Sequence, residues 1–400
     1  MSTPASRPDW SGVAAHVEVL QRRALVAGAG GLIASLVGLL VNPTQFFHSY
    51  VFAFLFWNGI ALGCMCLLMI QHLTGGSWGL AIRRLLEAGT RTFPLLALLF
   101  LPVVFGLKRI YPWAGLDHPD PTVQHAVHLK HFYLNVPFFL GRAAFYFAVW
   151  LALAYFLNRW SLETDTGMEL RQARKLRSIS GAGLLLMGLT ITFMSVDWSM
   201  SIDPRWFSSI YGMLFMIGHA LAALALCVVV LSRLAGERPL TAVASPDTFH
   251  DLGKLMFAFV MVWAYFSFSQ FLIIWSGNLP EETPWYLRRY QGGWRVVGLF
   301  LVLFHFAIPF LVLLSRGVKR RARTIGMVAA WILAVRLVDM LWLVRPEFPH
   351  TGLGLHWLDL TLPIGIGGVW LGAFARQLRT RPLLPLGEPE IRALLAEAGA

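Results

Sequence analysis

The sequence predicts an all-α integral membrane protein of about ten transmembrane helices, and three observations lead there. Hydrophobic residues fill 57% of the 400 positions and charged residues 14%, with a positive mean hydropathy, well beyond ordinary soluble composition. The apolar runs are continuous rather than alternating, which selects helices over a barrel, because lipid offers backbone groups no partner but each other. The basic residues are spread unevenly between successive runs, as a membrane topology requires.

A hydrocarbon core of roughly 30 Å takes about 20 apolar residues per helix. Candidate spans run over 24–41, 50–71, 93–107, 136–157, 180–197, 207–231, 255–277, 295–314, 325–344 and 356–375. The third is short and carries Pro94 and Pro102. Residues 1–23 and 376–400 are then cytoplasmic segments on either side of one polytopic membrane domain, 24–375. With the amino terminus inside, the inside segments hold 23 Lys and Arg and the outside loops 8, Arg142 and Arg336 within spans completing the 33. That asymmetry places both termini in the cytoplasm. It also accounts for the net charge of +12 without nucleic acid. RQARKLR (171–177) and RGVKRRAR (316–323) are expected to face cytoplasm and anionic headgroups.

No cleavable signal peptide is expected, since the first 20 residues are polar and mixed. Cys64, Cys66 and Cys227 lie inside apolar runs and read as packing residues, not a disulfide framework or a CxxCH haem site. Walker loops, CxxC pairs and HExxH motifs are absent, so ATP-driven pumping and metalloprotease chemistry have no support, and no metal site is expected.

Ionisable residues inside spans call for an explanation, because a charge at mid-bilayer costs about 2.5–3.5 kcal/mol on insertion scales. His219 and His305 fall near the middles of the sixth and eighth spans, and Arg336 and Asp339 share a face of the ninth. Nearer the outside are Arg142, Asp197, His356 and Asp359; nearer the inside are His72, His250, Asp251 and Lys254. Together they outline two half-paths for protons meeting at the central histidines. A plainer reading stands beside that one: Arg336 with Asp339 as a structural ion pair, and each histidine as hydrogen-bonded packing. A haem between His219 and His305 would need axial histidines on facing helices, and neither span carries the second histidine of a two-haem helix.

SVDWSMSIDPRWFS (195–208) poses the sharpest local question, since a greasy run ends in two aspartates, two tryptophans and a proline. Asp197 is expected to end its helix at the water interface, and Asp203-Pro204 to cap the next with proline at the first helical position. Trp198 and Trp206 suit a headgroup belt, and with Phe207 they are also the candidates to line a quinone site. VRLVDMLWLVRPEF, ending the ninth span, echoes this segment four helices later; a parallel repeat of two four-helix units and chance similarity explain it equally well.

SVDWSMSIDPRWFSSIYG (195–212) and HDLGKLMFAFVMVWAYFSFSQFLIIWSGNLPEETPWY (250–286) closely resemble the F subunit of alternative complex III, a bacterial quinol:electron-acceptor oxidoreductase. HLKHFYLNVPFFLGRAAFYFAVW (128–150) and PLLPLGEPEI (382–391) are similar to that family as well. The resemblance implies an NrfD/PsrC-like protein of the bacterial inner membrane, with two four-helix bundles and two flanking helices. It implies a similar C subunit alongside, and periplasmic multihaem and iron–sulfur subunits that carry the redox centres. The complex oxidises menaquinol; the F subunit is associated with proton translocation and is often described as quinone-binding, so menaquinone is the one ligand to consider. Asp197, Asp203, His250, Asp251, Lys254, Glu281 and Glu282 lie in matched motifs, and Ser267, Ser269 and Gln270 add polar atoms in the seventh span. His219, His305, Arg336 and Asp339 rest on depth alone.

Overall fold

Helices form wherever an apolar run would otherwise leave backbone groups unpaired in lipid. The structure, a computed structural model, describes residues 10–115, 120–166, 170–349 and 352–397. Its principal helices are α1 (Ser11–Val41), α2 (Pro43–Thr74), α3 (Ser77–Thr90), α4 (Phe93–Phe105), α5 (Val136–Glu163), α6 (Leu170–Trp198) and α7 (Tyr211–Leu234). They continue with α8 (Pro246–Gly277), α9 (Thr283–Tyr290), α10 (Trp294–Leu301), α11 (Ile308–Leu314), α12 (Ala322–Val344), α13 (Leu358–Arg379) and α14 (Pro389–Glu397). Among the described residues nine helical segments are long and apolar enough to cross a membrane, and α3 with α4, bent by 43°, makes a tenth if taken as one span. The chain is an all-α, multi-pass membrane protein.

Nine expected spans overlap these helices, most of which extend past the apolar windows because hydropathy marks the lipid-facing stretch and not the helix end; the sixth and tenth instead start later than expected, at Tyr211 and Leu358 rather than 207 and 356. The third coincides with α4, which is long enough to cross only together with α3, and α3 carries Arg83, Arg84 and Glu87, all buried. Pairing among these three and with Asp165 and Glu388 lets the charges enter the interior, and their low hydropathy kept α3 out of the apolar window.

The core lies around α2 and α7. In their most apolar windows 89% and 83% of residues are buried, against 22% for α8 and for Trp294–Leu314, which sit on the periphery. α2 packs on α3, α4, α6 and α13; α7 packs on α2, α6, α8 and α12. Glycine permits the α2–α7 crossing: a Cβ at Gly63 would stand 2.0 Å from the His219 carbonyl oxygen, and one at Gly59 2.1 Å from its Nδ1. α1 pairs with α13 through small residues, Gly28 and Gly31 against Gly365 and Gly368, where a Cβ at Gly31 would approach the Gly365 nitrogen to 2.6 Å. With hydrocarbon on every side, such close backbone approach is what holds membrane helices together.

Two ends follow from the charge distribution. The basic end gathers α3, the α5–α6 and α7–α8 connections, residues 316–323 and the carboxy-terminal segment, which folds back through α14. The opposite end gathers 106–115, 120–135, 199–210, 278–293, 345–349 and 352–357.

Candidate functional site

Three polar layers lie along the bundle, and the middle one is the least expected in lipid. Arg336 and Asp339 of α12 form an ion pair one turn apart, and Trp263 of α8 donates its indole N–H to Asp339 Oδ2 at 3.0 Å. The His305 ring stands edge-on to the same indole, centroids 4.2 Å apart. Arg336 lies against Gly218 of α7, where a Cβ would meet Nη2 at 2.2 Å, and the next residue is His219. All four ionisable groups are at most 2% exposed. Residues from α7, α8, the α10–α11 segment and α12, the last supplying both Arg336 and Asp339, therefore come together at mid-helix.

His305 sits in a π-helical stretch, 302–307. Pro309 has no N–H for the His305 carbonyl four residues before it, so the regular ladder cannot continue there. Trp331 Nε1 donates to the Phe304 carbonyl at 2.9 Å, taking up part of the interruption. Such widened turns occur mostly at functional positions.

His219 Nε2, both ring nitrogens of His305 and Arg336 Nη2 have no hydrogen-bonding partner within the protein among the described residues. Leaving a buried polar group unpaired costs about 1–3 kcal/mol. Cores rarely keep such groups without a use for them. Imidazoles can take up a proton on one nitrogen and release it from the other, and here they flank a carboxylate held by arginine.

At the far end Asp197 is fully buried and closes α6. Arg142 of α5 grips it with Nε and Nη2, both at 2.8 Å, and Tyr146 donates its hydroxyl at 2.7 Å. The guanidinium also lies over the rings of Tyr133 and Phe138, 3.8 and 4.3 Å from their centroids. Asp197 thus belongs to a fork-shaped ion pair inside the bundle, not to a helix end at water.

Asp203 does not cap the next membrane helix either. α7 begins at Tyr211 with Ile210 before it, and Asp203 instead accepts from the Arg205 backbone N–H at 3.1 Å and its Nε at 3.0 Å, and from Arg288 at 2.6 Å. Arg288 reaches on to Glu347 at 2.6 Å, and Glu347 takes Arg289 at 2.7 Å. The network ties the 199–210 turn to α9 and to the end of α12. Burial opposes the Asp203 charge, but Arg205 and Arg288 outweigh it and hold the carboxyl below its usual range. A lowered folded pKa adds stability above the ordinary carboxylate pKa of about 4, lost as pH falls through the folded value. Protection from hydrogen exchange at 203–210 and 283–290, taken relative to the intrinsic amide rate at each pH, is therefore expected to fall on acidification below about pH 4. Asp203→Asn should show that lowered protection already at neutral pH.

The tryptophans expected in a headgroup belt are buried instead. Trp198 stacks on Phe100 with centroids 4.5 Å apart, inside a cluster with Phe147 and Trp150, and Trp206 stacks on Trp285 at 4.9 Å. Phe207 is exposed, with Lys130 5.7 Å from its ring centroid. Trp198 and Trp206 thus pack on different aromatic partners, while Phe207 faces outward.

The remaining candidates are dispersed. Asp359 accepts from Ser49 at 2.6 Å and from the His356 N–H at 2.9 Å, with Arg345 at 3.8 Å. Lys254 pairs with Asp251 at 2.7 Å on the exposed start of α8, beside His250. His72 Nδ1 meets Ser180 at 3.1 Å. Gln270 is buried near Ser208 Oγ, 3.4 Å away, while Ser267 and Ser269 are half-buried; Glu281 and Glu282 lie in the turn before α9.

The layer that sequence reasoning missed is at the basic end. Glu87 accepts from Arg84 at 2.5 Å, Arg83 at 3.3 Å and Ser161 at 2.5 Å, and is fully buried. Arg83 also donates to Glu388 of the carboxy-terminal segment at 2.5 Å, and Arg84 pairs with Asp165. The three- and four-residue spacings in RRLLE were the available signal, masked by reading them as loop charges.

Among the described residues no three His, Cys, Asp or Glu side chains converge to hold a metal ion. Compared with models of known protein families and with curated protein sequences, the chain finds no match.

Proposed function

We propose that this chain is the membrane subunit of a menaquinol-oxidising respiratory complex of the alternative complex III type, contributing a transmembrane proton path and no redox centre of its own. The reading rests on the motif resemblance and, physically, on one observation: His219, His305, Arg336 and Asp339 meet at mid-helix with four of their polar atoms unpartnered. The Asp197 and Asp203 layers continue toward one end and the Glu87 layer toward the other. In this reading α2 to α6 make one four-helix bundle, counting α3 with α4 as one, and α7, α8, α10–α11 and α12 the other, with α1 and α13 flanking. The far end would face the periplasm and carry haem and iron–sulfur subunits, a similar C subunit would lie alongside, and both termini would be in the cytoplasm of a bacterial cell.

A structural anchor is the second reading, and a specific observation favours it: Asp197, Asp203, Asp339 and Glu87 are each held by arginine. Menaquinone binding ranks third, given the packing of Trp198 and Trp206. The test is to purify the complex that the chain enters in mild detergent, replace Asp197, His305 or Asp339 singly, and measure quinol oxidation beside proton release in vesicles. A proton path predicts a lowered proton yield per quinol; an anchor predicts loss of assembly on native gels with unchanged yield in what remains.

A further inference from the structure

A groove of about 630 Å³ opens at the basic end between α5 and α6, lined by Trp160 of α5 and by Arg171, Arg174, Lys175, Ser178 and Ile179 of α6. Three cations line it, and among the described residues no carboxylate does. Asp165 is turned to Arg84, and Lys175 Nζ lies 5.8 Å from the Trp160 ring centroid.

Beyond the charged groove the same helix faces turn apolar. Arg171, Lys175 and Ser178 fall on one helical face whose next members are Ala182, Leu185 and Leu189, and the last two are 74% and 58% exposed. Across from them Phe156 precedes Trp160 by one turn, ring centroids 5.5 Å apart, and is itself exposed. A polar, cationic head region is thus followed by exposed apolar surface on two packed helices. Free phosphate would use only the first part.

From this succession we propose that the groove is a binding site for an anionic glycerophospholipid. The phosphate sits among Arg174, Lys175 and Ser178, Trp160 lies at the glycerol level, and acyl chains run along Leu185, Leu189 and Phe156. Basic residues near a bilayer surface contribute about 1 kcal/mol each toward anionic lipid, so removing two lowers affinity about tenfold or more. The site is independent of any respiratory role.

The test uses the delipidated full chain in detergent, with tryptophan quenching by phosphatidylglycerol brominated on its acyl chains. Saturable quenching is expected, lost in part in Trp160→Phe, with affinity about tenfold weaker in R174Q/K175Q and unchanged in R321Q/R323Q. R171Q alone gives a graded loss should the double variant fail to fold. Equal quenching by brominated phosphatidylcholine, or equal weakening in R321Q/R323Q, overturns the site. Displacement of the lipid by inorganic phosphate as effectively as by unbrominated phosphatidylglycerol overturns the lipid assignment in favour of a free-anion site.

Discussion

Asp339→Asn is expected to destabilise the protein by about 3–5 kcal/mol, the usual cost of leaving one member of a buried ion pair uncompensated. Arg336 is 1% exposed and pairs with no other carboxylate among its described contacts, so the substitution strands a full charge in the core. Trp263 would also lose a charged acceptor for its N–H. Unfolding in mixed micelles titrated with SDS measures the loss. The double variant Arg336→Met with Asp339→Leu should recover most of it, because apolar replacement of both partners is often neutral or better. Stability and proton transfer then separate: the double variant stands but does not conduct.

Glu87→Gln is expected to cost a similar amount, about 3 kcal/mol or more, since one fully buried carboxylate serves two buried arginines. Ser161 would lose its charged acceptor in the same step. Glu388→Gln makes the contrast, because that carboxylate is partly exposed and pairs with Arg83 from the carboxy-terminal segment. Its cost should stay within about 1 kcal/mol, as for pairs near solvent. The same SDS titration ranks the two; an equal loss from both would place the anchoring of α3 in the carboxy-terminal segment and not in Glu87.

Lipid makes some of this legible in a sequence and hides the rest. Continuous apolar runs gave the spans because a membrane helix cannot hide its composition, whereas the π-helical stretch around His305 emerged only from the structure. α3 was illegible for the opposite reason: Arg83, Arg84 and Glu87 look like loop charges until their mutual contacts are seen. The Arg142–Asp197 pair joins residues 55 apart in sequence and depends on how α5 lies on α6. Trp198 and Trp206 misled because tryptophan suits a headgroup belt and an aromatic core equally, and only packing distinguishes them. Trp263 carried no signal at all, since its role is set by the partner on α12.

Among the described residues both His305 ring nitrogens lack partners, so His305→Leu removes a titratable group while stranding none of the described side chains. The most direct measurement is the number of protons released per quinol oxidised in vesicles carrying that variant complex. A path through the central cluster predicts quinol oxidation continuing with a reduced proton yield. An unchanged yield, with normal assembly, would contradict it and leave the four buried side chains as packing.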